Sequence, residues 1–212
     1  MVKALSTPGS EHQSNRRNRD VEVMDAAIKV FSQKGYSAAS LQDIADEVGL
    51  LKGSLYHYIN SKESLLFRVL QDTHHHAEIM MQEVNALNLP AQERLLVYVE
   101  RLATWYLANL ERASLYLTEW RYLQGEHAAI TKTQRRAYDE YMRSILIEAQ
   151  ETGFIRTDMD IRVATSFIIS AIGSIPTWYR TSRPVNPAHI ASELSLLACS
   201  SVFGKMPPLT SA

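Results

Sequence analysis

Between Ser40 and Tyr58 the sequence contains two short apolar patterns separated by one glycine. Ser40 stands three residues before an aspartate, which is the spacing of a capping box that opens a helix. Apolar residues then recur at helical spacing as far as Gly49, which can take the left-handed conformation that a sharp turn requires. The segment therefore predicts two short helices, the first ending at Gly49 and the second running from Leu51 to about Tyr58.

The apolar positions in this segment also indicate how the two helices pack. Ala45 is small, so the second helix can approach the first closely. The residues expected to fill the seam between the helices are Ile44, Val48, Leu50, Leu55 and Tyr58. Two short helices joined by a tight glycine turn form a helix-turn-helix, a motif that places its second helix in the DNA major groove.

The rest of the chain has helical periodicity and no alternating strand pattern of useful length. Its 212 residues include only 8 glycines and 7 prolines, a shortage of helix breakers. The predicted helices cover about 21–34, 62 to the low eighties, 90–111, 113–123, 127–152, 161–180 with a break near Pro176, and 187–204. Together with the helix-turn-helix, they predict an all-α fold of about nine helices.

Composition excludes several classes of protein. With 46% hydrophobic and 21% charged residues, the chain has the composition of a globular protein. Cys199 is the only cysteine, so an internal disulfide is excluded and a reducing cytoplasm is expected. The stretch 163–176 is too short for a membrane span, and the N-terminal residues lack the apolar core of a signal peptide. We therefore expect a cytoplasmic protein that does not associate with a membrane.

We expect no metal and no cofactor. Residues 74–76 are three consecutive histidines, which point about 100° apart on a helix and cannot chelate one ion together. Cys199 has no second cysteine to pair with and is expected to be a buried small hydrophobe.

The charge balance gives no bulk attraction to DNA. The net charge is −1, and residues 1–72 carry nine cationic and nine anionic side chains. DNA binding must therefore depend on one cationic face, with Asp43, Asp46 and Glu47 turned away from it.

The N-terminal third of the chain resembles the TetR family of bacterial transcription regulators. The resemblance covers residues 21–70 and rests on the runs Phe31–Tyr36, Leu41–Ala45, Val48–Gly49, Lys52–Tyr58 and Ser61–Leu65. The family usually has phenylalanine where this sequence has Ile59. Further along, the runs 118–121 and 178–180 look like those of TetR-type regulators of lipid or aromatic-acid catabolism, several of which respond to acyl-CoA thioesters.

This resemblance implies a domain organisation and a function. Residues 19–65 would form a three-helix DNA-binding domain, and residues 66–205 a helical bundle for dimerisation and effector binding. Residues 1–18 are polar and predicted to form a flexible tail, and residues 206–212 a disordered one. The implied function is a repressor that binds a palindromic operator as a homodimer and is released by a small apolar or acyl-CoA-like effector.

The resemblance, together with the expected docking of the second helix in the major groove, predicts which residues contact DNA. Lysines can pair with phosphate or guanine, hydroxyls can reach phosphate, a leucine can touch a thymine methyl group, and a glycine allows close backbone approach. The candidate residues are Ser40, Leu51, Lys52, Gly53, Ser54, Tyr56, His57 and Lys62. Arg16, Arg17 and Arg19 are further candidates in the tail, unless they are solvated charges.

The middle helices are rich in aromatic residues, which suit a mostly apolar cavity with a few polar groups. Aromatic residues at helical spacing are also common in ordinary cores. The candidate effector-binding residues are Trp105, Tyr106, Tyr116, Glu119, Trp120, Tyr138, Tyr141, Phe167, Ser174 and Trp178. Charged groups that would serve as polar handles or hold the phosphates of an acyl-CoA are Arg121, Arg135, Arg136, Arg180 and Arg183.

The final helices have apolar and small residues that suit a two-fold helical interface, and an intramolecular core is the alternative. The candidates are Ile168, Ala171, Ile172, Ile175, Ile190, Leu194, Leu197, Ala198 and Val202. Other functions left open are a regulator controlled by a partner protein and an activator. An enzyme that uses the aromatic cavity is a remote alternative, because we find no nucleophile–base–acid group, metal spacing or phosphate loop in the sequence.

Overall fold

The computed structural model describes residues 8–181 and 185–203, with side chains from residue 18 onward. Within these ranges the all-α prediction is confirmed, and the β-structure is limited to one isolated bridge between Ile155 and Phe203. The α-helices are α1 (Pro8–Lys34), α2 (Leu41–Val48), α3 (Lys52–Leu55), α4 (Lys62–Ala86), α5 (Ala91–Ala108), α6 (Leu110–Thr118), α7 (Gly125–Glu151), α8 (Ile161–Gly173), α9 (Ile175–Trp178) and α10 (Pro187–Val202). A 3₁₀ helix (Glu119–Tyr122) follows α6.

Helix α1 begins earlier than its apolar pattern predicts. The periodicity starts at Val21, whereas the helix starts at Pro8. Proline suits the first turn of a helix, where its missing N–H leaves no bond unmade. Residues 8–18 of the predicted tail therefore belong to α1, while residues 1–7 and 206–212 lie outside the described part of the chain.

The capping box and the glycine turn predicted at the two ends of α2 are both present. The Ser40 hydroxyl accepts a hydrogen bond from the Asp43 amide at 3.1 Å, and the Asp43 carboxylate accepts one from the Ser40 amide at 2.8 Å. Hydrogen bonds, first from Lys34 and then from Ser40, lower the pKa of Asp43 to about 2. Gly49 ends α2 with φ of 71°, the left-handed region that glycine enters without strain.

Two hydrophobic cores organise the molecule. The first core is formed by α1 to the N-terminal half of α4, and it includes Leu115 and Tyr116 of α6 and Leu123. The second core is formed by the C-terminal half of α4 with α5, α7, α8 and α10. Helix α6 thus contributes buried residues to the core of the helix-turn-helix.

The segment after α5 divides differently from the prediction of helices over 90–111 and 113–123. Helix α5 ends at Ala108, because Asn109 has a non-helical backbone (φ −132°, ψ 48°). The Asn109 side chain donates to the carbonyl of Trp105 at 2.9 Å. Helix α6 is therefore shorter than predicted and continues into the 3₁₀ helix.

The predicted break near Pro176 is confirmed one turn earlier. Helix α8 ends at Gly173, and α9 begins at Ile175 with Pro176 in its first turn. The proline lacks the N–H that would continue the hydrogen bonding of α8.

Candidate DNA interface and effector cavity

Helix α3 presents a distinct outer face. Its inward residue, Leu55, is 0% exposed and packs in the first core, whereas Leu51 is 80% exposed and Tyr56 is 52% exposed. The other outward residues are Lys52, Gly53 and His57, with Ser54 half-buried. The structure therefore brings together on one surface the recognition-helix candidates predicted from the sequence.

The charges around this face are almost all paired. Lys29 of α1 pairs with Glu47 at 2.6 Å, and Lys34 pairs with Asp43 at 2.7 Å. Two of the acidic side chains expected to be turned away are thus neutralised against α1. Among the cations of residues 18–72, Lys52 stands alone in having neither an ion pair nor a hydrogen bond to the described residues.

Lys62 has internal partners. Its ammonium group donates to the carbonyls of Ala39 at 2.7 Å and Tyr36 at 2.8 Å, and it lies 4.4 Å from the centroid of the Tyr36 ring. These bonds join the start of α4 to the loop between α1 and α2. The geometry supports a structural role for Lys62 as a link between these segments, and a phosphate would have to share its donors.

Matched substitutions separate the two lysines. We expect Lys62→Met to lower the free energy of unfolding by about 1–3 kcal/mol, because it leaves three backbone carbonyls, those of Tyr36, Ser37 and Ala39, without their charged donor. We expect Lys52→Met to leave stability unchanged, because the side chain is exposed and unpaired. Urea denaturation of both variants, compared with the wild type, measures the difference. Equal stability of the two variants would contradict the structural assignment of Lys62.

The inner cavity lies between α4, α5, α6, α7 and α8 and has a volume of about 100 Å³. Its lining includes Trp105, Tyr106, Tyr116 and Tyr138 from the predicted set, together with the predicted handle Arg135. The remaining lining residues are Thr73, Ala77, Met80, Tyr98, Leu102, Ala113, Leu117, Asp139, Met142 and Ile169. This second group is mostly aliphatic, and periodicity alone does not separate such residues from ordinary core.

A hydrogen-bonded group lies at the α4–α7 side of the cavity. The Tyr138 hydroxyl lies 2.6 Å from His74 Nδ1 and 3.1 Å from the His74 carbonyl. His74 Nε2 lies 3.0 Å from the Glu78 carboxylate, while burial lowers the pKa of this histidine. Burial also raises the pKa of Tyr106 to about 12 and raises those of Tyr116 and Tyr138. The tyrosines therefore act as neutral hydrogen-bonding groups at physiological pH.

The cavity lies in the seam between the two cores. Tyr116 belongs to the first core, which contains the helix-turn-helix, and Tyr138 packs against that core. Tyr98 and Met142 belong to the second core. A molecule that enters the cavity would therefore contact side chains of both cores at once.

The other predicted effector residues lie outside the lining of this cavity, and their role in effector binding stays a prediction. Phe167 is 57% exposed and Trp178 is 43% exposed, because both lie on the outside of the bundle. The Trp178 indole donates to the Ser174 hydroxyl at 3.1 Å. The Tyr141 hydroxyl donates to the Asn85 side chain at 2.9 Å, outside the cavity.

The 3₁₀ helix holds two more predicted residues outside the lining. Glu119 accepts a hydrogen bond from the Thr118 hydroxyl at 3.0 Å. The centroid of a Trp120 ring lies 4.9 Å from the guanidinium carbon of Arg135.

Of the two arginines predicted to hold phosphates near the end of the chain, Arg180 donates a hydrogen bond to the carbonyl of Tyr179. Arg183 lies outside the described residues.

Most of the predicted dimer-interface residues are buried within the single chain. The residues that fill the second core are Ile168, Ile172, Ile175, Ala198 and Val202, so for them the intramolecular alternative applies. Of the predicted set, Leu197 is the clear exception at 64% exposed. Val163 and Phe167, on the outer face of α8, are 66% and 57% exposed. On α10 the exposed apolar residue therefore belongs to the predicted set, whereas on α8 the exposed apolar residues are Val163 and Phe167 in place of the predicted Ile168 and Ile172.

Comparison with known proteins identifies the family. Residues 23–69 match the family described as bacterial regulatory proteins, tetR family, and residues 88–202 match the tetracyclin repressor-like C-terminal domain. The two matches cover the helix-turn-helix and the helical bundle. The chain belongs to the TetR family of bacterial transcription regulators, which are DNA-binding proteins and not enzymes.

Individual relatives agree with this assignment. The HTH-type transcriptional repressor KstR2 of Rhodococcus jostii is 25% identical over 190 residues, covering 89% of this chain and 93% of that protein. A tetR-family regulatory protein from Rhodococcus RHA1 superimposes with a TM-score of 0.79 at 28% identity, covering 87% and 97% of the two chains. AibR in complex with isovaleryl coenzyme A and operator DNA has the same fold, with a TM-score of 0.77 at 22% identity over 84% and 97%.

Proposed function

We propose that this protein is a ligand-responsive repressor that binds a palindromic operator as a homodimer through α3. The observation that carries the proposal is the outer face of α3. It combines the unpaired Lys52 with the exposed Leu51, Gly53, Tyr56 and His57 above a fully buried Leu55. A helix that is anchored by its inner side and bears a lone cation with hydrogen-bonding groups on its outer side suits the major groove.

The exposed apolar face of α8 supports a dimer. Val163, Phe167 and Leu197 are large, apolar and more than half exposed, and α8 packs beside α10. The apolar segment Ile161–Trp178 is divided between α8 and α9, and only 28% of it is buried in the single chain. A second copy would cover this face, as two-fold helix-turn-helix regulators require. We propose that this dimer acts in the cytoplasm.

The cavity supports a small effector. Its lining is mainly apolar with a few polar groups, as in ligand sites generally, although its volume is below the usual range of about 300–1,000 Å³. The flexible Met80 and Met142 can repack to widen it. AibR was solved with isovaleryl coenzyme A, and KstR2 is named a repressor. These relatives support a repressor whose effector is a small apolar or acyl-CoA-like molecule.

Helix α6 is the element through which an effector would act on DNA binding. One face of α6 lines the cavity through Tyr116, while Arg112 forms an ion pair with Asp25 of α1 at 3.1 Å and another with Asp72 of α4. An effector that widens the cavity would displace α6 relative to these helices. The population then shifts toward dimers whose α3 helices are spaced wrongly for successive major grooves.

The test of this proposal is operator binding. The full-length protein is incubated with DNA fragments flanking its own gene, and gel retardation is measured across a range of salt concentrations. We expect a palindromic fragment to be retarded, and we expect Lys52→Met to flatten the dependence of log affinity on log salt by about two units, one for the lysine of each protomer. If no fragment is retarded at low salt, the proposed DNA binding is wrong.

A further inference from the structure

Arg135 is a half-buried cation in the cavity wall, in contact with two aromatic rings. Its guanidinium carbon lies 4.9 Å from the centroid of a Trp120 ring and 5.1 Å from that of Tyr116. Its Nη1 donates to the Tyr116 carbonyl at 2.8 Å. Cation–π contacts of this kind fix the plane of the guanidinium group. The side chain is therefore positioned before any ligand arrives.

The hydrogen-bonding capacity of Arg135 is mostly unused. A guanidinium group has five N–H donors, and in the described structure one of its nitrogens makes a hydrogen bond. None of the described carboxylates lies within 4.0 Å of it. A cation in an apolar wall is stabilised by an oxygen acceptor, and the chain itself supplies only the Tyr116 carbonyl.

The charges of the lining limit which ligand could supply an oxygen acceptor to Arg135. Asp139, one turn after Arg135 on α7, is the other charged residue of the lining. Burial raises the pKa of this carboxyl, and Arg135 opposes that rise. The lining thus carries one positive and one negative group, which favours a single acyl oxygen over a polyanion inside the cavity.

The size of the cavity limits the apolar part of the ligand. An engineered apolar cavity of about 150 Å³ accommodates benzene. The present cavity, at about 100 Å³, is smaller, and its lining includes the aliphatic side chains of Met80, Leu102, Met142 and Ile169. It therefore matches a short aliphatic chain, with some further length available if the methionines repack.

We propose that Arg135 determines effector specificity by holding the acyl oxygen of a short aliphatic acyl group whose chain lies against the methionines. This inference rests on the proposed function and specifies the ligand class of the same cavity. A free carboxylate and the carbonyl of a thioester share this chemistry. The guanidinium N–H groups would bind either oxygen, and the coenzyme part of a thioester would remain outside the cavity.

The experiment is isothermal titration calorimetry on the full-length protein without DNA. The probes are sodium hexanoate as the free acid, hexanoyl-CoA as the thioester, and hexylammonium as a chain of equal length without an acyl oxygen. Arg135→Gln removes the positive charge and leaves a shorter side chain with fewer N–H donors. Lys132→Gln is the matched control, since Lys132 is an exposed cation of the same helix α7 and does not line the cavity.

We expect hexanoate or hexanoyl-CoA to bind the wild type and the Lys132→Gln variant equally well. Arg135→Gln should weaken that binding about tenfold or more, because a charge-assisted hydrogen bond is lost. Binding of hexanoate indicates the free acid as effector, and binding of hexanoyl-CoA without hexanoate indicates the thioester. Hexylammonium should not bind. Circular dichroism and Arg135→Lys, which keeps the charge and should bind with intermediate affinity, check that the loss is not due to misfolding.

Three results would overturn the inference: no binding of either acyl probe, equal binding by Arg135→Gln and wild type, or binding of hexylammonium as tight as that of the acyl probes. Because this titration contains no DNA, its failure is distinct from the failure of the proposed function. A protein that retards its operator but binds neither acyl probe retains its DNA-binding role and loses only this assignment.

Discussion

Phe167→Arg is expected to convert the dimer into monomers and to reduce operator affinity to the non-specific level, a loss of about 10³-fold or more. Phe167 is 57% exposed on the outer face of α8, beside Val163 at 66%. An arginine there would place a charge of the same sign on both sides of a two-fold interface without a partner. A monomer contacts only one half-site, so the affinity gained from the second half-site is lost.

Sedimentation analysis of the variant, together with gel retardation of the operator, measures both effects. Ile130→Arg is the control, because Ile130 is an apolar residue of α7 with 36% exposure and lies on a different helix. It should leave the dimer intact. A Phe167→Arg protein that still sediments as a dimer would place the interface elsewhere.

Gly53→Ala is expected to leave folding intact while reducing operator affinity by about 10- to 100-fold. A Cβ atom built at Gly53 meets nothing within 4 Å in the chain, and the residue does not have a positive φ. Alanine also has the higher helix propensity, by about 1 kcal/mol, so stability should be unchanged or slightly higher. The added methyl group would instead occupy space on the outer face of α3, where the DNA would lie.

Gly49→Ala is the matched control for this prediction. A Cβ at Gly49 also meets nothing within 4 Å, but the residue has φ of 71°. Alanine there strains the backbone and should lower the free energy of unfolding by about 1–2 kcal/mol. Thermal melts and operator titrations of both variants separate the two effects. Unchanged operator affinity of Gly53→Ala would show that the DNA does not approach this backbone closely.

The helix-turn-helix could be predicted from the sequence because its determinants are local. The capping box at Ser40, the left-handed Gly49 and the small Ala45 each act within a few residues of their position in the chain. The exposed positions of the recognition helix follow once Leu55 is placed inward. The internal hydrogen bonds of Lys62 could not be predicted from local sequence, because its carbonyl partners lie more than twenty residues away in the chain.

The cavity and the dimer face were harder to predict because both depend on which elements pack together. Helix α8 is apolar on two sides, so periodicity alone does not distinguish Ile168, in the core, from Phe167, on the surface. In the same way, Trp105 lines the cavity while Trp178 faces outward, although both are aromatic residues in apolar helices. The start of α1 was missed because a polar helix carries no apolar periodicity before Val21.

The position of the cavity between the two cores has a consequence for how such a protein can diverge. Because Tyr116 and Tyr138 serve the packing of the DNA-binding part as well as the cavity wall, substitutions there alter both ligand choice and operator affinity. Residues of the second core, such as Met142, are less constrained in this way. We therefore expect natural variation in effector preference among proteins of this architecture to accumulate first on the α5 and α8 walls, with the α6 wall the slowest to change.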